Sequence, residues 1–379
     1  MRILVVPDKF KGTLTARQAA QAIASGWRSI RRDDDIQLLP MTDGGDGFGE
    51  VMSQLTGAQV RKVRTVDAAG RNCLARWWLN PRDHSAIIES ANIIGLAMLP
   101  PGQFHPFKLD TRGLGAVIHA AVQAGATRCL IGIGGSATND GGFGLARSLG
   151  WDFRDRSGLP VETWTDLPRA VKVIPPKRHR WFRSSVIAVD VQNRLLGRRG
   201  ATRVYGPQKG ITSADFPTAE RALATLAKLL AARSGTNHAA EPGTGAAGGL
   251  GFGLRAFLGG RLQSGFDLFA ARVHLEQSIR RSDLVITGEG RIDASSLMGK
   301  GVGEVANLCR RFRVPCIGLC GSVGDDVRSR APQSVPSTEK YFVWTVGTTD
   351  LADHADVLAR PAFWLRKLAA TAASLSPVA

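Results

Sequence analysis

What most constrains this chain is that its acids and glycines fall at the ends of short apolar runs, with helical patterns between them. Residues 3–6 are continuously apolar and lead into the polar stretch Asp8-Lys9-Phe10-Lys11-Gly12. An unbroken run of this kind is expected of a strand buried on both faces. Thr15 and Gln18 then have capping-box spacing, and Ala19, Ile23, Trp27 and Ile30 share one helical face. Residues 36–39 form the next expected strand, and a glycine/aspartate loop over 41–47 precedes a helix through Leu55. The same texture returns late in the chain. A strand at 284–287 runs into Gly288-Glu289-Gly290-Arg291-Ile292-Asp293, followed by a helix over about 302–311, strands at 314–319 and 341–346, and an amphipathic helix over 361–375. Such alternation implies a parallel sheet covered by helices.

The middle is patterned differently. Strands are expected near 64–66, 75–79 and 86–89 without helices between them, helices near 112–124 and 216–233, and glycine-rich loops at 132–142 and 243–253. This pattern predicts an α/β chain of two domains, a length of 379 residues being ample for both. Residues 1–62 with 283–379 are expected to build a discontinuous parallel domain, and residues 63–282 an inserted mixed-sheet domain. A cleft between two domains is a common place for a site that must exclude water.

A net charge of +17 raises the question of nucleic acid, but the arginines are scattered. Only short clusters occur, such as Lys177-Arg178-His179-Arg180, and no helix-turn-helix, zinc-finger or RNA-binding signature accompanies them. A diffuse positive field also suits small anions such as nucleotides and organic acids, so no specific nucleic-acid partner is expected. No run of ~18 apolar residues is present, so no membrane span is expected. The apolar start is shorter than the roughly 7–15 residues of a signal peptide, and a cytoplasmic location is expected. The five cysteines lack zinc or redox spacing and are expected to be reduced thiols.

The strongest local signal is Gly132-Ile133-Gly134-Gly135-Ser136-Ala137-Thr138-Asn139-Asp140-Gly141-Gly142, where an apolar strand enters a loop of glycines, hydroxyls, an amide and an acid. Glycines let backbone N–H groups approach an anion closely; a strained turn without a ligand is the plainer alternative. Gly243-Thr244-Gly245-Ala246-Ala247-Gly248 matches a dinucleotide fingerprint, but no strand precedes it, which argues against a nicotinamide site. Met298-Gly299-Lys300-Gly301 only echoes a P-loop. The acids Asp8, Asp43, Asp46, Asp140, Asp190, Glu289 and Asp293 all fall at or near expected strand ends. Asp190 interrupts the apolar run 186–191, where an idle carboxylate would be costly to bury. Together with Lys9 and Lys11 these acids suit phosphoryl transfer, in which carboxylates hold Mg²⁺ or accept a hydroxyl proton and lysines offset phosphate charge.

As a set these motifs resemble the bacterial glycerate kinase type-1 family. The blocks starting at Asp8, at Asp43-Gly44-Gly45-Asp46-Gly47, at Gly132, at Gly206-Pro207-Gln208-Lys209-Gly210, at Gly243 and at Thr287 occur in order across nearly all of the sequence. Two departures are visible: Asp46 stands where the family has glutamate, and Arg194 where it has proline. The resemblance implies ATP-dependent, Mg²⁺-assisted phosphorylation of D-glycerate, usually to 2-phosphoglycerate. It also implies one flavodoxin-like domain and one resembling restriction-enzyme folds. The alternatives are a kinase for a related hydroxy acid and a catalytically silent ligand-sensing or nucleic-acid-binding relative. On the kinase expectation, Asp190 is the general base. Lys9, Lys11 and the amides of Gly134, Gly135 and Ser136 meet anionic groups, and Asp43 with Glu289 or Asp293 orients Mg²⁺ or substrate. Asp8, Asp46, Thr138, Asn139, Asp140, Gly243, Gly245 and Arg291 complete the expected substrate and phosphate contacts.

Overall fold

The computed structural model describes residues 1–177, 180–297, 301–325 and 342–375. Arg178, His179, Met298, Gly299, Lys300 and Tyr341, which belong to sequence features noted above, lie outside the described residues. In chain order the strands are β1 (Arg2–Pro7), β2 (Asp35–Leu38), β3 (Gln59–Val66), β4 (Asn72–Asn80), β5 (Ser85–Glu89), β6 (Arg128–Gly132), β7 (Asp152–Asp155), β8 (Ala170–Ile174), β9 (Ser184–Ala188), β10 (Arg261–Gln263), β11 (Leu284–Gly288), β12 (Arg291–Ile292), β13 (Cys316–Cys320), β14 (Ser322–Val323) and β15 (Trp344–Gly347). Contacts divide the chain into two compact units, residues 1–43 with 266–379 and residues 44–265.

The first unit holds a five-stranded, wholly parallel sheet in the order β15-β13-β11-β1-β2. Counting only the strands of this sheet, that order is 2-1-3-4-5, the flavodoxin-like arrangement. The helix Ala16–Ile30 begins with the anticipated capping box: Gln18 N–H donates to the Thr15 hydroxyl, and the Gln18 side chain accepts the Thr15 N–H. Ala19, Ile23 and Trp27 are fully buried, whereas Ile30, assigned to the same face from the sequence, is 51% exposed as the last residue of the helix. This helix and Pro361–Leu375 share one core with Ile3, Val5, Leu284, Ile286, Ile317 and Leu319, residues on one face of the sheet. The helix Gly301–Phe312 contacts β11 and β13 without joining that core, which places it on the opposite face.

The second unit holds a six-stranded mixed sheet, β10-β9-β6-β5-β4-β3. β5, β6, β9 and β10 are mutually parallel, and β4 and β3 extend the sheet antiparallel. The unit begins at Gly44, earlier than the expected Val63. β3 pairs with β4 over its whole length, and the helix Phe48–Thr56 packs on β4 and β5, so both belong to this core. It ends at Gly265 rather than near Ser282, because β10 closes the sheet just before.

Candidate functional site

In the first unit, β1 and β11 are adjacent, with β2 continuing the sheet on one side and β13 and β15 on the other. The carboxyl ends of such a central pair form the switch-point crevice where ligands of doubly wound sheets bind. Asp8 and Lys9 follow β1 there, and Glu289 follows β11; the Asp8 N–H donates to the Gly288 carbonyl at 2.8 Å. The Asp8 carboxylate accepts the Lys9 N–H at 2.7 Å. Burial, then the negative charge of Asp43, pushes Asp8 up to about 8; Glu289 adds to the rise, and the Lys9 charge and N–H oppose it. Asp43, Lys9 and Glu289 are half-buried, and Lys11 and Arg291 are exposed. Asp293 is committed locally: its Oδ1 accepts from Ser295 N and Oγ and from Ser296 N, capping the short helix Ala294–Leu297, while Arg291 Nε lies 3.9 Å from its Oδ2.

Among the described residues no group of three or more His, Cys, Asp or Glu side chains is arranged as a metal cage. Mg²⁺ does not require one, since it is commonly held by one or two carboxylates together with phosphate oxygens and water. The carboxylates of Asp8, Asp43 and Glu289, close enough to raise Asp8, are hard oxygen donors of the appropriate kind.

In the second unit, sheet register brings Glu89, Gly132 and Ala188 side by side at the carboxyl edge of β5, β6 and β9. Three loops leave from this line. The 44–47 loop lies against the loop after β6: Gly134 N–H donates to the Gly44 carbonyl at 3.1 Å, and the Asp46 carboxylate rests on Gly135. A Cβ on Gly134 would stand 2.5 Å from Gly45 Cα, so only glycine permits this approach. Gly134 and Gly135 are the part of the loop that reaches the surface. Neither the N–H of Gly135 nor that of Ser136 is donated to a protein acceptor among the described residues.

The rest of this loop turns inward. Thr138, Asn139 and Asp140 are fully buried and Ser136 nearly so. Ser136 Oγ bonds Thr138 Oγ1 and accepts the Thr138 N–H, and Asn139 Nδ2 donates to Thr202 Oγ1. The Asp140 carboxylate accepts from Thr111 N and Oγ1 and from Gly142 N and Gly144 N. Burial raises Asp140 to about 6, with Asp110 adding to the rise and those hydrogen bonds opposing it. These hydrogen bonds hold in shape the part of the loop whose side chains were expected to meet a ligand. The 243–249 segment packs on the same loop; Gly248, at φ +68°, leaves no room for a Cβ against the Thr138 carbonyl, and its own carbonyl accepts the Gly141 N–H. Gly245 N–H is donated to the Asn193 carbonyl at 2.8 Å, and Gly243 backs on Val189.

Asp190 was expected inside an apolar strand, but β9 ends at Ala188, so Asp190 stands two positions beyond it and is half-buried. Its Oδ1 accepts the Gly265 N–H at 3.0 Å. Sequence reasoning passed over two groups. Glu89 is 4% exposed and accepts the N–H groups of Gly47 and Gly49 at 3.0 and 2.8 Å, anchoring the 44–47 loop and the start of its helix. Its signal was the one that drew attention to Asp190, an acid closing an apolar run. The second is Lys209, whose ammonium donates to the Thr138 carbonyl at 2.7 Å.

The glycerate kinase family model matches residues 3–375. The glycerate 2-kinase of Escherichia coli K12 is 37% identical over 86% of this chain and 87% of its own. The glycerate kinase of Bacillus subtilis 168 is 34% identical over 94% of each. A Salmonella typhimurium LT2 crystal structure, described as that of a glycerate kinase 2, superposes with a TM-score of 0.79 at 34% identity, covering 99% of this chain and 97% of that one. No described helix is long and apolar enough to cross a membrane. With a family match over residues 3–375 and relatives at 34–37% identity over most of its length, this chain belongs to the glycerate kinase family and is a kinase.

Proposed function

We propose that the chain transfers the γ-phosphoryl group of ATP to D-glycerate, giving 2-phosphoglycerate and ADP. The observation that carries this reading is the pair of undonated N–H groups at Gly135, which reaches the surface, and at the adjoining buried Ser136, in a glycine loop at the carboxyl edge of a parallel strand. Successive backbone N–H groups of this kind form a concavity for phosphate oxygens. Phosphoryl transfer asks little covalent chemistry of a protein and much positioning. In the second unit, Asp190 takes the proton of the glycerate 2-hydroxyl as its oxygen bonds to phosphorus and the bond to the β-phosphate oxygen breaks. The Gly265 N–H, bonded to Oδ1, orients that carboxylate. In the first unit, Lys9 and Lys11 offset phosphate charge. Asp43 and Glu289 are the residues that would hold Mg²⁺, which when bound neutralises charge on the phosphoryl oxygens. Asp8, crowded by the same acids, tunes the charge of that group. The test is ³¹P NMR of a mixture of enzyme, ATP, Mg²⁺ and D-glycerate. A 2-phosphoglycerate resonance growing with ADP is expected; 3-phosphoglycerate alone would overturn the regiochemistry, and orthophosphate alone would overturn the acceptor.

A further inference from the structure

Lys209 is only 7% exposed, in the turn Pro207–Lys209 of the Gly206-Pro207-Gln208-Lys209-Gly210 motif. Nothing in the reaction above uses it. Its ammonium donates to the Thr138 carbonyl, and the neighbouring Asn139 amide donates to Thr202, on the helix Ala201–Tyr205 just before that turn. Segment 201–209 therefore grips the glycine loop at two successive residues. Asp140, the next residue along, is the charged group that favours the protonated form of Lys209, while burial pulls the ammonium down to about 7. A cation so enclosed is costly, and an apolar chain of equal length would often stabilise the fold. Groups retained against such a cost are concentrated at functional sites. Thr138 lies three residues from Gly135, a span of at most ~11 Å at ~3.8 Å per Cα step, and charges inside a protein are poorly screened over such distances.

We propose that Lys209 is a positioning residue: by holding the Thr138 carbonyl it fixes the loop so that the Gly135 and Ser136 N–H groups face the phosphates of ATP, and its charge strengthens their hold. This rests on the functional reading above. Packing and positioning make opposite forecasts for two substitutions. Lys209→Met fits the space and removes donor and charge; Lys209→Arg keeps both but is bulkier.

The experiment measures ATP binding by calorimetry for the full-length wild type, Lys209→Met, Lys209→Arg and Lys209→Gln, with melting temperatures for each and the KM for D-glycerate. Lys209→Met is expected to melt at or above the wild-type temperature and to bind ATP at least tenfold more weakly, with the KM for glycerate changed less than twofold. Lys209→Arg is expected to bind ATP more tightly than Lys209→Met. Should Lys209→Met fail to fold, Lys209→Gln, which keeps a donor and loses the charge, is expected to bind ATP more weakly than Lys209→Arg. ATP affinity in Lys209→Met within twofold of wild type would overturn the proposal, as would Lys209→Arg binding more weakly than the neutral variants. Because the readout is binding, it separates the two claims. A wild type that binds ATP in a Lys209-dependent way without phosphorylating glycerate refutes the reaction and keeps this role. An active enzyme indifferent to Lys209 does the reverse.

Discussion

Glu89, the last residue of β5, accepts the Gly49 N–H at 2.8 Å and so ties the carboxyl edge of the mixed sheet to the first turn of the helix Phe48–Thr56. Its other oxygen takes the Gly47 N–H. Glu89→Ala orphans both donors, one of them buried, at a cost of about 2–4 kcal/mol. Urea unfolding should show that loss, and a change below ~0.5 kcal/mol would mean the 44–47 loop is anchored elsewhere.

Gly134→Ala forces a methyl against Gly45 Cα. Displacement of two packed backbones commonly costs about 1–3 kcal/mol. Expected are a lower melting temperature and a kcat/KM for ATP reduced at least tenfold, measured on the folded fraction. Retained affinity for ATP would show that the loop tolerates the shift and that its geometry is not what binds phosphate.

Asp190→Asn keeps an acceptor for the Gly265 N–H and removes the base. Loss of a general base commonly lowers rate by ~10²–10⁴. The fall should appear in kcat, with the KM for ATP nearly unchanged. Turnover close to wild type would take the proton-accepting role away from this residue.

Asp8 gives a pH signature. Its carboxyl is raised to about 8 by burial and by Asp43. The folded state thus keeps a proton that the unfolded chain sheds near pH ~4. The stability linked to that proton is fully present below about pH 4 and is lost as pH rises through 8. Asp8→Asn abolishes this dependence. In metal-free buffer, the melting temperature of Asp8→Asn relative to wild type should therefore climb between pH 5 and pH 9. Parallel curves would mean that Asp8 is ionised throughout.

The legible parts of this fold are those where one force dominates. The unbroken apolar run of β1 and the Thr15–Gln18 capping box each have a single reading, and both are present. β3 was recognised only at its end because Val60, Arg61, Lys62 and Arg64 are exposed on an edge strand, where burial leaves no alternating pattern. The unit boundary at Gly44 was hidden for a related reason. A glycine loop before a helix looks the same whichever core the helix joins, and here Gly49 fits against Trp78 of β4. Spacing located the 132–142 loop but could not tell which side of it meets solvent. Ser136 and Asp140 accept backbone N–H groups because a buried loop must satisfy its own backbone, while the outward-facing part is nearly bare glycine.

The central claim is that this chain phosphorylates glycerate, and coupled ADP release tests it most directly. The purified full-length chain is assayed with ATP, Mg²⁺ and, in turn, D-glycerate, L-glycerate, glycolate and lactate. The account predicts ADP release dependent on D-glycerate, with kcat/KM for that acid at least tenfold above the others. A higher kcat/KM on another of these acids, or no acid-dependent ADP release from a folded chain that binds ATP, would contradict it.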